Sequence, residues 1–334
     1  MKILVTGGAG YIGSVTCSAL EEAGHQPVIL DSLVTGCPDF VAGRPFYQAD
    51  IAQKEVLEQV LREHPDTELT IHFAARIQVP ESVSQPALYY RENVLKSLQL
   101  FENLAELGQK KVIFSSSASI YESPVGENLS VSETSSLKPL SPYAKSKWMT
   151  EEMLKDLCAA SDLRGLALRY FNPVGADPRL RSGPYLPDPS HLLGRLLTAV
   201  RTGETFLVTG TDYPTRDGTG LRDFIHIWDL ALAHVAAAER FDSAFAQAAQ
   251  ESGEPQSYLA VNVGSGEGVT VREFVQAFEQ VYPGELQAAD GPRRPGDSAG
   301  AYADITRARR WLGWSPSLSI REAVESALAW QARA

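Results

Sequence analysis

The opening stretch of the chain constrains its fold more than any other. Lys2–Thr6 reads as a short buried strand, Gly7-Gly8-Ala9-Gly10-Tyr11-Ile12-Gly13 as a tight turn, and the residues on to about Ala23 as a helix. Glycines at this spacing allow the turn itself, close approach of the backbone to a pyrophosphate, and close packing of helix on strand. Gly7, Gly10, Tyr11, Ile12 and Gly13 are therefore candidate contacts for a dinucleotide cofactor. The next strand ends in Asp31, about 20 residues further on, where a carboxylate accepts from the adenosine ribose hydroxyls. The same carboxylate repels a 2'-phosphate, which favours NAD over NADP.

Strands and helices continue to alternate. Strands are expected at 46–48, 70–73, 112–115 and 166–170, and helices at 54–64, 86–107 and 142–160. That pattern predicts an α/β protein built on a Rossmann-type, doubly wound parallel sheet. Ligands of such sheets gather at the carboxyl ends of the strands. Those ends carry Gly7, Asp31, Asp50, Ile51, Phe73, Ala74, Ala75, Ser115, Ser116, Ser117 and Asn172. Asp50 and Ile51 suit the edge and face of an adenine; Asp50 serves equally well as a cap for the helix at Lys54.

Tyr143-Ala144-Lys145-Ser146-Lys147 follows Pro142, a residue suited to the first turn of a helix. Tyr143 and Lys147 then share one helix face at i, i+4. A phenol with a pKa near ~10 becomes a base near neutral pH only with about 4 kcal/mol of electrostatic help, and an ammonium alongside supplies much of it.

The net charge of -11 argues against nucleic acid or an anionic membrane as the main partner. Cys17, Cys37 and Cys158 are scattered and form no Cys-x-x-Cys pair. This fits a reducing, cytoplasmic setting with no disulfide framework and no metal site. The apolar run after Met1 is too short for a signal peptide, and no apolar run approaches membrane length. There are no internal repeats.

Five motifs together carry a resemblance: Thr6 to Gly13, Ser115-Ser116-Ser117-Ala118, Tyr143-x-x-x-Lys147, Arg169-Tyr170-Phe171-Asn172-Pro173-Val174-Gly175-Ala176, and Asp217-Gly218-Thr219-Gly220-Leu221-Arg222-Asp223-Phe224-Ile225-His226. From residue 1 to about residue 325 the chain resembles the UDP-glucose (UDP-galactose) 4-epimerases of the extended short-chain dehydrogenase/reductase superfamily. The resemblance implies an isomerase of carbohydrate metabolism that interconverts UDP-glucose and UDP-galactose through a 4-keto intermediate, with NAD tightly bound. Ser117, Tyr143 and Lys147 would be catalytic. Asn93, Ser115, Tyr143, Lys147 and Tyr170 join the cofactor contacts, with Lys147 on the nicotinamide ribose, and Ser117, Asn172, His191, Arg222, Arg294, Asp297 and Ala301 would bind the UDP-sugar. A homodimer formed through the helices at 86–107 and 142–160 is also implied; Leu95, Leu98 and Leu154 are apolar candidates for it, or ordinary core.

The resemblance divides the chain into an NAD-binding domain at 1–174 and a UDP-sugar domain at 175–334, with some later strands returning to the first sheet. Pro178, Pro184, Pro187 and Pro189 mark an irregular entry to the second domain. Its helices are expected at 192–202, 229–240, 271–282, 306–312 and 320–330, with short strands near Phe206, Phe224, Ala260 and Gln287. Residues 241–256 read as a polar surface excursion with no assigned function. His226 reads as structural.

Several positions depart from the family pattern. Ile77 stands where some members carry lysine, Ser32 where asparagine is usual, and His191 where an asparagine commonly faces the diphosphate. Ala301 replaces a tyrosine that blocks an N-acetyl group in some members. That predicts added activity on UDP-N-acetylglucosamine and UDP-N-acetylgalactosamine. Two rivals use the same fold. A nucleotide-sugar 4,6-dehydratase would carry Asp-Glu where this chain has Ala118-Ser119, and a non-catalytic NAD-binding sensor would lack the tyrosine.

Overall fold

The computed structural model describes residues 1–126, 128–186, 189, 191–293 and 298–333. The first half runs β1 (Lys2–Thr6), α1 (Tyr11–Glu22), β2 (Gln26–Asp31), β3 (Phe46–Gln48), α2 (Lys54–Glu63), β4 (Thr67–His72), α3 (Val79–Ser84), α4 (Pro86–Tyr89), α5 (Lys96–Glu106), β5 (Lys111–Ser117), β6 (Ser130–Val131), α6 (Pro142–Ala160), β7 (Arg164–Tyr170) and β8 (Asn172–Val174). The helix expected over 86–107 is interrupted by a π-helical turn at Tyr90–Leu95, and α3 was not foreseen.

Seven strands form one parallel sheet in the order β12-β7-β5-β4-β1-β2-β3. Ile3, Leu4 and Val5 in β1 and Val28, Ile29 and Leu30 in β2 are fully buried. Such unbroken apolar runs belong to strands covered by helices on both faces. Two core clusters result. One holds Ile3, Val5, Val15 and Leu20 together with Leu230, Phe241 and Val261; the other holds Leu4, Leu30, Leu57, Leu100, Phe114 and Leu154.

The later chain gives α7 (Leu192–Thr202), β9 (Phe206–Thr209), β10 (Leu221–Arg222), β11 (Phe224–His226), α8 (Ile227–Glu239), α9 (Phe241–Ser252), β12 (Tyr258–Val263), β13 (Val269–Thr270), α10 (Val271–Val281), β14 (Ala288–Gly291), β15 (Gly300–Ala303), α11 (Thr306–Leu312) and α12 (Ile320–Gln331). β12 returns to the large sheet, and α8 packs across α1. A third apolar cluster, including Leu193, Leu196, Phe206, Phe224, Phe274 and Ala327, supports the smaller lobe.

One expectation requires correction, and two open alternatives are decided. Residues 241–256 are not a polar excursion. Over Phe241–Ser252 they form α9, whose Phe241, Ala244, Phe245 and Ala248 recur at helical spacing and are all buried in the main core. The high Ala and Gln content masked that stripe. Leu154, offered as an interface candidate, is fully buried in the second cluster, whereas Leu95 is exposed. Asp50 does not cap α2, whose N-cap is Gln53. No helix among the described residues is long and apolar enough to cross a membrane.

If α9 is core, Phe245→Ala should lower stability by about 3 kcal/mol, as large-to-small core substitutions do. Chemical denaturation checks this; a change within about 0.5 kcal/mol would return the segment to the surface.

Candidate active site

The strand order reverses at β1, since the chain first adds β2 and β3 on one side and then β4, β5, β7 and β12 on the other. Ligands of open α/β sheets lie in the crevice at such a point. Here the crevice is narrow. Gly7 has φ +76°, and a Cβ added to it would stand 2.5 Å from the Ala74 nitrogen. A Cβ on Gly13 would stand 2.3 Å from the Gly7 carbonyl oxygen. No side chain caps α1 at Gly10, so its first amides face outward as donors at the positive end of a 12-residue helix. This cradle fits a pyrophosphate. The Tyr11 hydroxyl donates to the Gly175 carbonyl at 2.6 Å and ties the start of α1 to the loop after β8.

Asp31 lies at the end of β2, buried. Its Oδ2 accepts from the Ala9 amide at 3.0 Å and its Oδ1 from the Leu33 amide at 2.8 Å. Burial raises its pKa and these amides oppose the rise. The second bond also holds Leu33 in the left-handed region, at φ 58°. Asp50 accepts from the Ala52 amide at 3.0 Å and pairs with Lys96 at 2.5 Å, beside buried Ile51.

Two residues expected at the cofactor have their polar groups committed to protein. The Asn93 amide sits in the π-helical turn. Its Oδ1 accepts from the Arg76 amide at 2.8 Å, and its Nδ2 donates to the Arg76 carbonyl at 2.9 Å and to the Ser146 hydroxyl at 3.0 Å. Asn93 thereby fastens the loop that carries Phe73, Ala74 and Ala75 to α6. The Tyr170 hydroxyl is bonded to His234 Nε2, and the His234 ring lies 4.8 Å from Phe73. Burial lowers the His234 pKa to about 4, so the ring is neutral and its Nδ1–H donates to the Leu230 carbonyl at 2.9 Å.

Ser117, Tyr143 and Lys147 converge at the carboxyl end of β5. Ser141 caps α6 by accepting from the Ala144 amide at 3.1 Å, with Pro142 in the first turn as expected. The Ser117 hydroxyl stands beside the Tyr143 phenol, and the Ser119 hydroxyl lies 2.9 Å from Ser117 Oγ. Burial holds the Tyr143 phenol above its ordinary value, and the neighbouring Ser117 hydroxyl opposes this. Lys147 is buried. Its ammonium donates to the Ser115 carbonyl at 2.8 Å and lies 5.1 Å from the centre of the Phe114 ring. Burial lowers its pKa to about 7, against the pull of Glu151.

A polar network that the motif reading missed lies behind these groups. Glu151 accepts from Arg169 Nε and from Nη2 at 2.7 Å, from the Tyr258 hydroxyl at 3.0 Å, and from Ser116. Both members of the ion pair are almost wholly buried. A charged residue inside the apolar strand 164–170, and a glutamate on the Tyr143–Lys147 stripe, were the available signals.

On the far side of the cleft, Asn172 Nδ2 donates to the Asp223 carbonyl at 2.9 Å. His191 caps α7, its Nδ1 accepting from the Gly194 amide at 3.1 Å. Burial keeps the ring neutral, so Nε2 carries the proton and is the donor. Arg222 donates to the Leu221 carbonyl at 2.8 Å and is the register partner of Ala301 in the pair β10–β15. Arg294 and Asp297 lie outside the described residues. Among the described residues no group of three His, Cys, Asp or Glu side chains could hold a metal ion.

A parallel sheet with a glycine cradle at its reversal point and a Ser–Tyr–Lys constellation beside it defines a class of nucleotide-dependent enzymes. The chain belongs to the NAD dependent epimerase/dehydratase family, whose model matches residues 3–250. Within that family it is 41% identical to the UDP-glucose 4-epimerase of Azospirillum brasilense, over 99% of this chain and 92% of that protein. Among solved structures it resembles the UDP-glucose-4-epimerase from Stenotrophomonas maltophila with bound NAD and formylated UDP-arabinopyranose, at a TM-score of 0.91 and 34% identity over 100% of this chain and 98% of that one. The UDP-Glc/GlcNAc 4-epimerase of Campylobacter jejuni aligns with a TM-score of 0.81 and 33% identity, over 100% of this chain and 99% of that one.

Asp31→Asn should narrow the preference for NAD over NADP by at least ~10-fold, about 1.4 kcal/mol, because one buried negative charge is lost. Calorimetric titration with both nucleotides decides it, and an unchanged preference would remove Asp31 from cofactor selection.

Proposed function

We propose that the protein is an NAD-dependent UDP-hexose 4-epimerase. The observation that carries this reading is the meeting of Ser117, Tyr143 and Lys147 at the mouth of the dinucleotide crevice. Inverting an unactivated carbinol carbon requires removing a hydride and returning it to the opposite face, and bound NAD supplies the reversible hydride acceptor. The protein's own groups manage the proton. Tyr143 takes the proton of the sugar 4-hydroxyl, and Ser117, standing beside Tyr143, bridges the two oxygens. Lys147 stabilises the tyrosinate. Asn172, His191 and Arg222 hold the diphosphate while the 4-keto sugar turns over and presents its other face to the same tyrosine.

Charge balance supports Tyr143 as the base. Arg169 is paired with the buried carboxylate of Glu151, and a second buried cation, Lys147, stands one helical turn from it. Ionising Tyr143 pairs the second cation, which offsets the burial that otherwise keeps the phenol protonated. The dehydratase alternative lacks support at Ala118-Ser119: these residues form a short 3-10 turn in which Ser119 bonds back to Ser117, and neither supplies a carboxyl group.

Ala301 governs which sugars fit. Its neighbour Tyr302 lines a separate surface cleft of about 210 Å³ with Ser130, Gly266 and Arg309, while Ala301 packs against the main core cluster. Successive side chains on a strand point to opposite faces. The direction of Tyr302 away from Ala301 supports the reading that a methyl group at position 301 admits an acetamido substituent at C2 of the sugar.

Tyr143→Phe should lower kcat by at least ~10² while UDP affinity stays nearly intact; near wild-type turnover would exclude the tyrosine as base. The wild-type enzyme should interconvert UDP-N-acetylglucosamine and UDP-N-acetylgalactosamine as well as UDP-glucose and UDP-galactose, and Ala301→Tyr should abolish only the N-acetyl activity. A wild-type kcat/KM more than ~10³ lower for the N-acetyl pair, about 4 kcal/mol, would place the size limit elsewhere.

A further inference from the structure

The β5–β7–β12 part of the sheet carries a row of polar side chains where parallel strands covered on both faces are ordinarily apolar. Ser116 is the register partner of Arg169, and Arg169 is the register partner of Asn262. All three are buried. Glu151 meets this row from α6 by accepting from Ser116 and Arg169. Arg169 Nη1 donates to the Tyr121 hydroxyl at 3.0 Å and to the Glu133 carbonyl at 3.2 Å, and Tyr121 donates to Asn262 Oδ1 at 2.6 Å. Asn262 Nδ2 donates to the Val131 carbonyl at 3.0 Å. The row thus joins α6 to three strands of the large sheet and to β6 of the smaller one.

A buried ion pair is weak evidence for stability, because desolvating both charges offsets most of their attraction. Its position is more informative. Tyr143, Lys147 and Glu151 stand at i, i+4 and i+8, one above the other on a single face of α6. We propose that Glu151, held by Arg169 and Ser116, is a positioning residue for the reaction: it fixes α6 against β5 so that Tyr143 reaches Ser117, and it is the anion that keeps the Lys147 ammonium charged inside the protein. This rests on the epimerase reading only for its effect on turnover.

The groups facing Lys147 support the electrostatic part. From β5 come the Ser115 carbonyl and the Phe114 ring. From β4 comes His72, held between Thr6 and Ser97 and kept neutral by burial, with its pKa lowered to about 3. From α6 come Tyr143 and Glu151, with Arg169 of β7 behind the carboxylate. Among these, Glu151 is the anion that raises the Lys147 pKa against the lowering by burial.

The test is Glu151→Gln, read two ways. In protein carrying ¹³C-labelled lysine, the NMR titration midpoint of Lys147, assigned with Lys147→Met, should fall by about one pH unit or more. In the loaded enzyme the alkaline limb of kcat should move to lower pH by a matching amount, with kcat reduced at least ~10-fold at neutral pH and KM for UDP-glucose little changed. Arg169 left unpaired could prevent folding, so Glu151→Gln/Arg169→Met, which leaves no unpaired guanidinium, is measured in the same way and should show falls in midpoint and kcat of the same direction, smaller because a neighbouring cation is also removed. An unmoved Lys147 midpoint, or an unmoved alkaline limb with wild-type kcat, in either folded variant overturns the proposal. A shifted midpoint in a protein whose wild type epimerises no UDP-hexose upholds the placement of Glu151 and rejects the epimerase reading instead.

Discussion

A buried phenol acts as a base near neutrality only where positive charge is kept beside it and that charge is little screened by water. Lys147 meets both conditions at a cost, since its ammonium is drawn into the interior against one carbonyl, one ring and, one turn along, one carboxylate. The geometry around it follows from that cost. A buried ammonium must have its hydrogen-bond donors satisfied and its charge opposed, which requires α6 to lie at a fixed height on β5. Tyr143 and Ser117 then fall into place as a consequence of the same fit.

The cofactor side obeys a different constraint, one of distance and not of charge. Gly7 has no space for a methyl group against Phe73 and Ala74 beyond the end of β4, and Gly13 has none against the Gly7–Gly8 turn itself. Closeness of backbone to ligand and closeness of helix to strand are obtained from the same two absent side chains. The two oxygens of Asp31, each already accepting one amide, hold the strained loop around Leu33 in shape. The loop conformation and the negative charge at the end of β2 therefore depend on one carboxylate.

The sequence made most of this legible because turns and helix starts are written locally. The glycine turn, the proline at the start of α6 and the apolar runs of β1 and β2 are consecutive residues whose meaning survives without tertiary context. α7 and α11 were read to the residue. What escaped depends on partners far along the chain. α9 looked polar because its buried stripe is largely alanine, whose burial a composition count does not register. The part Asn93 plays in the protein, joining the loop at Arg76 to Ser146 of α6, also depends on such partners. Glu151 and Arg169 lie 18 residues apart in sequence, and nothing local says that they meet. Arg294 and Asp297, read from the family pattern, lie outside the described residues.

The return of β12 to the large sheet bears on how the protein is made. β7 has β5 on one side, and on the other a strand that is synthesised only after residue 257. Until then the nascent chain presents an open parallel edge, and Arg169 faces the place where Asn262 will come to lie. Closing so distant a pair is slow compared with forming local helices. The large sheet is therefore completed by residues far along the chain, so it cannot be finished until more than three quarters of the sequence is in place.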